Sequence, residues 1–152
     1  MGYLLTKDHD LLRNISTAKE AADLHTNVFA QYVIHDYLMH NELDEHLTKI
    51  RELYRSQARA MVDAMKEFFP YGVEFTIPEG GMFLWVTLPE GIFAMDLFDK
   101  ALEQNVAFVP GDPFYAEGGK RSTLRLNFTN ADEETIRSGI KRLAEVIEAE
   151  LA

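Results

Sequence analysis

The stretch Thr123-Leu124-Arg125-Leu126-Asn127-Phe128 alternates polar with apolar residues at every step. A period of two belongs to a β-strand, whose side chains point alternately to opposite faces. Leu124, Leu126 and Phe128 therefore share a face that belongs in a core, and Thr123, Arg125 and Asn127 share the other. A guanidinium held on a strand presents five donors in a planar fork, which matches a carboxylate or a phosphate bidentately. Arg125 is thus a candidate anion grip. Two plainer roles compete with it: an ion pair with one of the 25 acidic side chains, or simple exposure at a sheet edge.

Working downstream, Asn130 with Glu133 three residues on has the form of a capping box, and Ile136, Ile140, Leu143, Ala144 and Ile147 form the buried stripe of a last helix. Upstream lies a Gly- and Pro-rich loop that carries Phe114 and extends to about residue 122. A short strand over 106–109 precedes it. Before that strand the spacing predicts a helix over about 94–104, with Leu97, Phe98, Ala101 and Leu102 inward and Asn105 as a left-handed cap. Further strands are predicted over 73–75 and 82–87. Gly80-Gly81 lies between them, either as a tight turn or as a place where backbone approaches a ligand closely. The longest pattern is a helix from about Leu43 to Phe69, roughly 40 Å at ~1.5 Å per residue, stopped by Pro70-Tyr71-Gly72. Earlier helices are predicted over about 8–22 and from Val28, with Thr26-Asn27 as a cap pair between them, after a strand-like opening at residues 1–6. The order implies an α+β fold, a mainly antiparallel sheet with helices on one face, preceded by a long connecting helix.

Composition narrows the function classes. With 152 residues, 47% of them hydrophobic, the chain is long and apolar enough to bury a core and is not a disordered segment. A net charge of −10, without any Lys/Arg-rich block, argues against a nucleic-acid surface. The lack of cysteine excludes disulfides, thiolate metal sites and a cysteine nucleophile. His35 and His40 are five apart and do not stack on one helical face, so no metal site is expected. There is no bilayer-length apolar stretch and no signal-peptide pattern, and a soluble cytoplasmic protein is the expectation.

Three groups of residues together resemble one family. The run Val109-Pro110-Gly111, Pro113-Phe114 and Leu124-Arg125-Leu126-Asn127-Phe128 is similar to the C-terminal part of class I aminotransferases, pyridoxal-phosphate enzymes of fold type I. Pro78-Glu79-Gly80-Gly81-Met82-Phe83-Leu84-Trp85-Val86 resembles the segment entering their small domain, and Ala21-Ala22-Asp23-Leu24-His25-Thr26-Asn27 the helix junction near their dimer interface. The similarity covers the chain in order. It is nearest to the branch of 2-aminoadipate, kynurenine and related aminotransferases.

The resemblance implies a division of labour. Arg125 matches the arginine that grips the substrate α-carboxylate, with Asn127 as a neighbouring hydrogen-bonder, and Gly81 and Phe114 are further candidates at the substrate site. Residues 1–42 correspond to a remnant of the large domain and interdomain helices, and 43–152 to the small domain with its connecting helix. Transamination needs a lysine that bonds the cofactor aldehyde and an acid that partners the pyridine nitrogen. None of the seven lysines has the family's small-residue Ser-x-Ser-Lys-like setting. The expectation is therefore a C-terminal part of a longer aminotransferase that uses pyridoxal phosphate, acts on amino acids and 2-oxo acids and is homodimeric. This part alone is expected to bind no cofactor and to be inactive. No catalytic, cofactor-binding or metal-ligating residue is assigned within it. An alternative is the aminotransferase-like effector domain of a transcription regulator. Another is a free-standing carboxylate-binding or scaffold protein. The stretch before Thr26 carries no basic residue, which speaks against dicarboxylate selection by an arginine there.

Overall fold

A computed structural model describes residues 2–118 and 121–151, and within it the chain forms two compact units, residues 1–46 and 47–152. In the first, α1 (His9–Asp23) is capped by Asp8, whose carboxylate accepts from the backbone N–H of Asp10 and Leu11. Asn27 caps α2 (Val28–His40) in the same way, its side-chain oxygen accepting from Ala30 N. Both caps satisfy N–H groups that lack a partner in the first helical turn. The opening residues 2–6, read above as strand-like, form no strand: among the described residues they meet no ladder partner, and a lone strand cannot satisfy its backbone.

α3 (Leu43–Phe68) starts at the end of the first unit and runs on into the second. The second unit holds a four-stranded antiparallel sheet of β1 (Glu74–Phe75), β2 (Phe83–Thr87), β3 (Val109–Pro110) and β4 (Thr123–Asn127), in the spatial order β1-β2-β4-β3. α4 (Ala94–Glu103) and α5 (Glu133–Leu151) complete it. The α+β class and the antiparallel sheet are as expected.

The alternation in β4 decides the packing. Leu124, Leu126 and Phe128 are buried, and Leu84 and Val86 of β2 lie beside them on that face. Against this apolar face pack Met61, Met65 of α3, Leu97 of α4, and Leu143, Ile147 of α5, in one core. All three helices thus lie on one side of the sheet, and the other side carries the alternate residues Phe83, Trp85, Arg125 and Asn127. Gln57 is the buried polar exception on α3: its Nε2 donates to the carbonyl of Ala131 at 2.7 Å and ties the helix to the loop before α5.

Three local readings are corrected. The third strand is Val109–Pro110 rather than 106–109, because Val106 N still bonds to Ala101 O at the end of α4 and the ladder to β4 begins only at Val109. Asp132, not Asn130, caps α5, its carboxylate accepting from Thr135 N at 2.8 Å, while Glu133 bonds Ser56 instead of closing a capping box. Leu102 faces outward, 44% exposed, leaving Ala94, Leu97 and Ala101 as the buried stripe of α4. Asn105 does adopt φ 55°.

Candidate functional site

Arg125 lies at the centre of the sheet face that the helices leave open. β4 is an interior strand, so Arg125 is flanked by Trp85 on one side and Val109 on the other. β2 is held in place at this point by Thr76: its N–H donates to Trp85 O at 2.9 Å, and its hydroxyl accepts from Trp85 N at 3.0 Å. A short 3-10 turn, Asp112–Phe114, folds back over the face from the end of β3. Gly111 makes that return possible. Its N–H bonds Thr123 O at 2.7 Å, so close that a Cβ added there would meet Thr123 Oγ1 at 2.1 Å and Thr123 O at 2.8 Å.

The result is an aromatic setting for one cation. The guanidinium carbon of Arg125 lies 4.0 Å from the ring centre of Phe83 and 4.6 Å from that of Phe114. Trp85 supports Phe114 edge-on at 5.6 Å and Tyr115 at 6.1 Å between ring centres. Among the described residues Arg125 makes no ion pair, and its buried Nε has no hydrogen-bond partner. Arginines elsewhere behave differently: Arg137 pairs with Glu67 at 2.5 Å across α5 and α3, which holds the Glu67 carboxyl below its usual range and raises the guanidinium. An arginine held by rings instead of an acid keeps its donors and its charge for an incoming anion.

The four site residues read from the sequence do not all meet. Arg125 and Phe114 touch. Asn127 lies on the same face two residues along, but its side-chain oxygen accepts from Thr129 N at 2.7 Å and from the Thr129 hydroxyl at 3.0 Å, closing the turn that ends β4. Gly81, at φ 83°, lines a separate groove of about 830 Å³ between α3 and the 77–82 segment, together with Arg51, Arg55, Arg59 and Phe128. Phe83 and Trp85 belong to the site as well, and their place two residues apart on a strand paired with β4 was the signal that could have found them.

Among the described residues of the second unit, none beside Arg125 could bond the aldehyde of pyridoxal phosphate. In the second unit Lys49, Lys66, Lys100 and Lys141 all belong to helices on the core side of the sheet, and Lys100 is paired with Glu150. No lysine amine lies on the strands that surround Arg125. Lys120 lies outside the described residues. Nor do the described residues contain a cluster of three or more metal-ligating side chains, and no described helix is long and apolar enough to cross a membrane.

With the fold and the geometry of Arg125 in place, comparison with known proteins gives the chain a family. Residues 1–143 match the family described as aminotransferase class I and II. The chain is 46% identical over 151 residues to an aromatic-amino-acid aminotransferase of Thermococcus litoralis, covering 99% of itself and 36% of that protein. It is 43% identical over 143 residues to a 2-aminoadipate transaminase of Thermus thermophilus, covering 94% of itself and 36% of the relative. The crystal structure of a kynurenine aminotransferase from Pyrococcus horikoshii superposes with a TM-score of 0.81 at 47% identity, over 95% of this chain and 36% of that one. The chain belongs to the class I and II aminotransferase family. It spans little more than a third of the length of these relatives.

Proposed function

We propose that this chain is the part of a pyridoxal-phosphate-dependent aminotransferase that receives the α-carboxylate of the amino-acid or 2-oxo-acid substrate, with Arg125 as the grip. The observation that carries the reading is the state of that side chain: charged, fixed over two rings, and without an acidic partner among the described residues. A bidentate carboxylate would complete its hydrogen bonding and fix the substrate's Cα, so that the bond to be broken is presented in one orientation. The cofactor supplies the electron sink for that chemistry, and the groups that hold it belong to the remainder of a longer, homodimeric enzyme. This chain alone is then inactive. Identities of 43–47% to aminotransferases favour this over an effector domain of a regulator.

The test is a titration of the ¹⁵N-labelled chain with sodium acetate, following the Arg125 Nε–H resonance and the backbone amides of β2 and β4, which also report in variants of Arg125. A saturating shift in the millimolar range is expected for the wild type and none for the other resonances in Arg125→Ala. Equal binding by both would return Arg125 to a structural role. In the longer enzyme, Arg125→Lys loses the fork and lowers kcat/KM by roughly one to three orders of magnitude.

A further inference from the structure

We propose that Phe83 and Phe114 are positioning residues for the carboxylate grip, holding the Arg125 guanidinium by their ring faces so that none of its N–H donors is used up in holding it. The proposal rests on the reading of Arg125 given above and adds how the arginine is kept ready.

A long, charged side chain on an open sheet face has many rotamers, and fixing one of them ordinarily takes a carboxylate or a backbone carbonyl. Either would occupy the edge of the fork that a substrate carboxylate needs, and an acid would also cancel the charge. A ring face attracts a cation through its quadrupole and accepts no in-plane hydrogen bond that competes with a carboxylate. Here two faces act on one cation, at 4.0 Å and 4.6 Å from the guanidinium carbon, both inside the ~6 Å reach of the interaction. The rings come from different parts of the chain, Phe83 from β2 and Phe114 from the turn after β3. Trp85 is set edge-on behind Phe114, so the second ring has its own support. The buried Nε without a partner shows the outcome: a guanidinium withdrawn from water in part, with a donor left over. Neither phenylalanine is spent on the core, since Phe83 is 39% and Phe114 49% exposed. Large apolar side chains left that open on one face ask for a reason, and the cation between them supplies it.

The acetate titration separates the parts. Phe83→Leu and Phe114→Leu should each weaken acetate binding by roughly 3- to 10-fold and move the Arg125 Nε–H resonance away from its ring-shifted position. Phe83→Tyr and Phe114→Tyr should restore both. Pentafluorophenylalanine at either position keeps the shape, inverts the charge of the ring face and should behave like leucine, which covers the case of a leucine variant that folds poorly. In an Arg125→Lys background the ring substitutions should change acetate affinity by less than twofold. Leucine or pentafluorophenylalanine variants that bind acetate as the wild type does would overturn the role of the rings while leaving the grip itself intact. A wild type that binds no acetate would overturn the grip, and the proposal with it.

Discussion

The grip proposed for Arg125 requires a guanidinium that is rigid without being neutralised, and at the scale of single residues two rings stand against it. Arg125 depends on Phe114, and Phe114 depends on the backbone crossing at Gly111, where Thr123 leaves no room for a side chain. Gly111→Ala should therefore destabilise the fold by about 1–3 kcal/mol, since the contact is with backbone that cannot move aside; urea unfolding followed by circular dichroism measures it, and an unchanged midpoint would mean that β3 and β4 can separate freely. Arg125 and its face were legible from six residues, because a period of two survives in any antiparallel strand. Its rings were only half legible. Phe114 stood out in a loop, but nothing in sequence spacing says that a turn 11 residues upstream folds over a given strand position, and Phe83 was read as part of a strand without its contact. Gly81, read as a tight turn or a close approach to a ligand, has a φ of 83°, and the groove it lines is not the arginine's. Gln57, a polar residue in the buried stripe of α3, went unread because a helical pattern does not announce which polar residue finds a carbonyl.

Among the elements, the helices were the most legible, since capping residues and apolar spacing act locally. Observed and expected limits of α3 and α4 agree to within a residue. β3 was misplaced because strand limits are set by a partner, here the reach of β4, and not by the apolar run 106–109 itself. The α5 cap shifted from Asn130 to Asp132 for a related reason: both are good caps, and the choice falls to where the chain turns out of β4. Backbone and side-chain hydrogen bonds from Thr135 hold the Asp132 carboxyl below the ordinary carboxylate range. A carboxyl depressed in the folded state contributes stability that is present above its unfolded value, roughly pH 4, and is lost as pH falls through the folded one. Asp132→Ala should thus lower Tm at neutral pH, and the gap to wild type should narrow only below about pH 4. A gap independent of pH across that range would deny the charged cap.

For the molecule as a whole, the two units differ in how much apolar surface they leave uncovered. In the first, Tyr3 and Leu5 are each 92% exposed and Phe29 78%, and α2 buries none of its residues. Large apolar side chains left this open favour association. Sedimentation velocity should show self-association that rises with protein concentration, and Phe29→Glu with Tyr32→Glu should reduce it; a monomer at all concentrations would contradict this. The form such assemblies take is limited by the sheet. Its two rims are β1 and β3, each of two residues, and the second ends in Pro110, which has no N–H to offer a neighbouring chain. Rims this short cannot template cross-β stacking. When this chain clumps it should do so as folded copies sticking by their helices, reversible on dilution and blind to amyloid dyes.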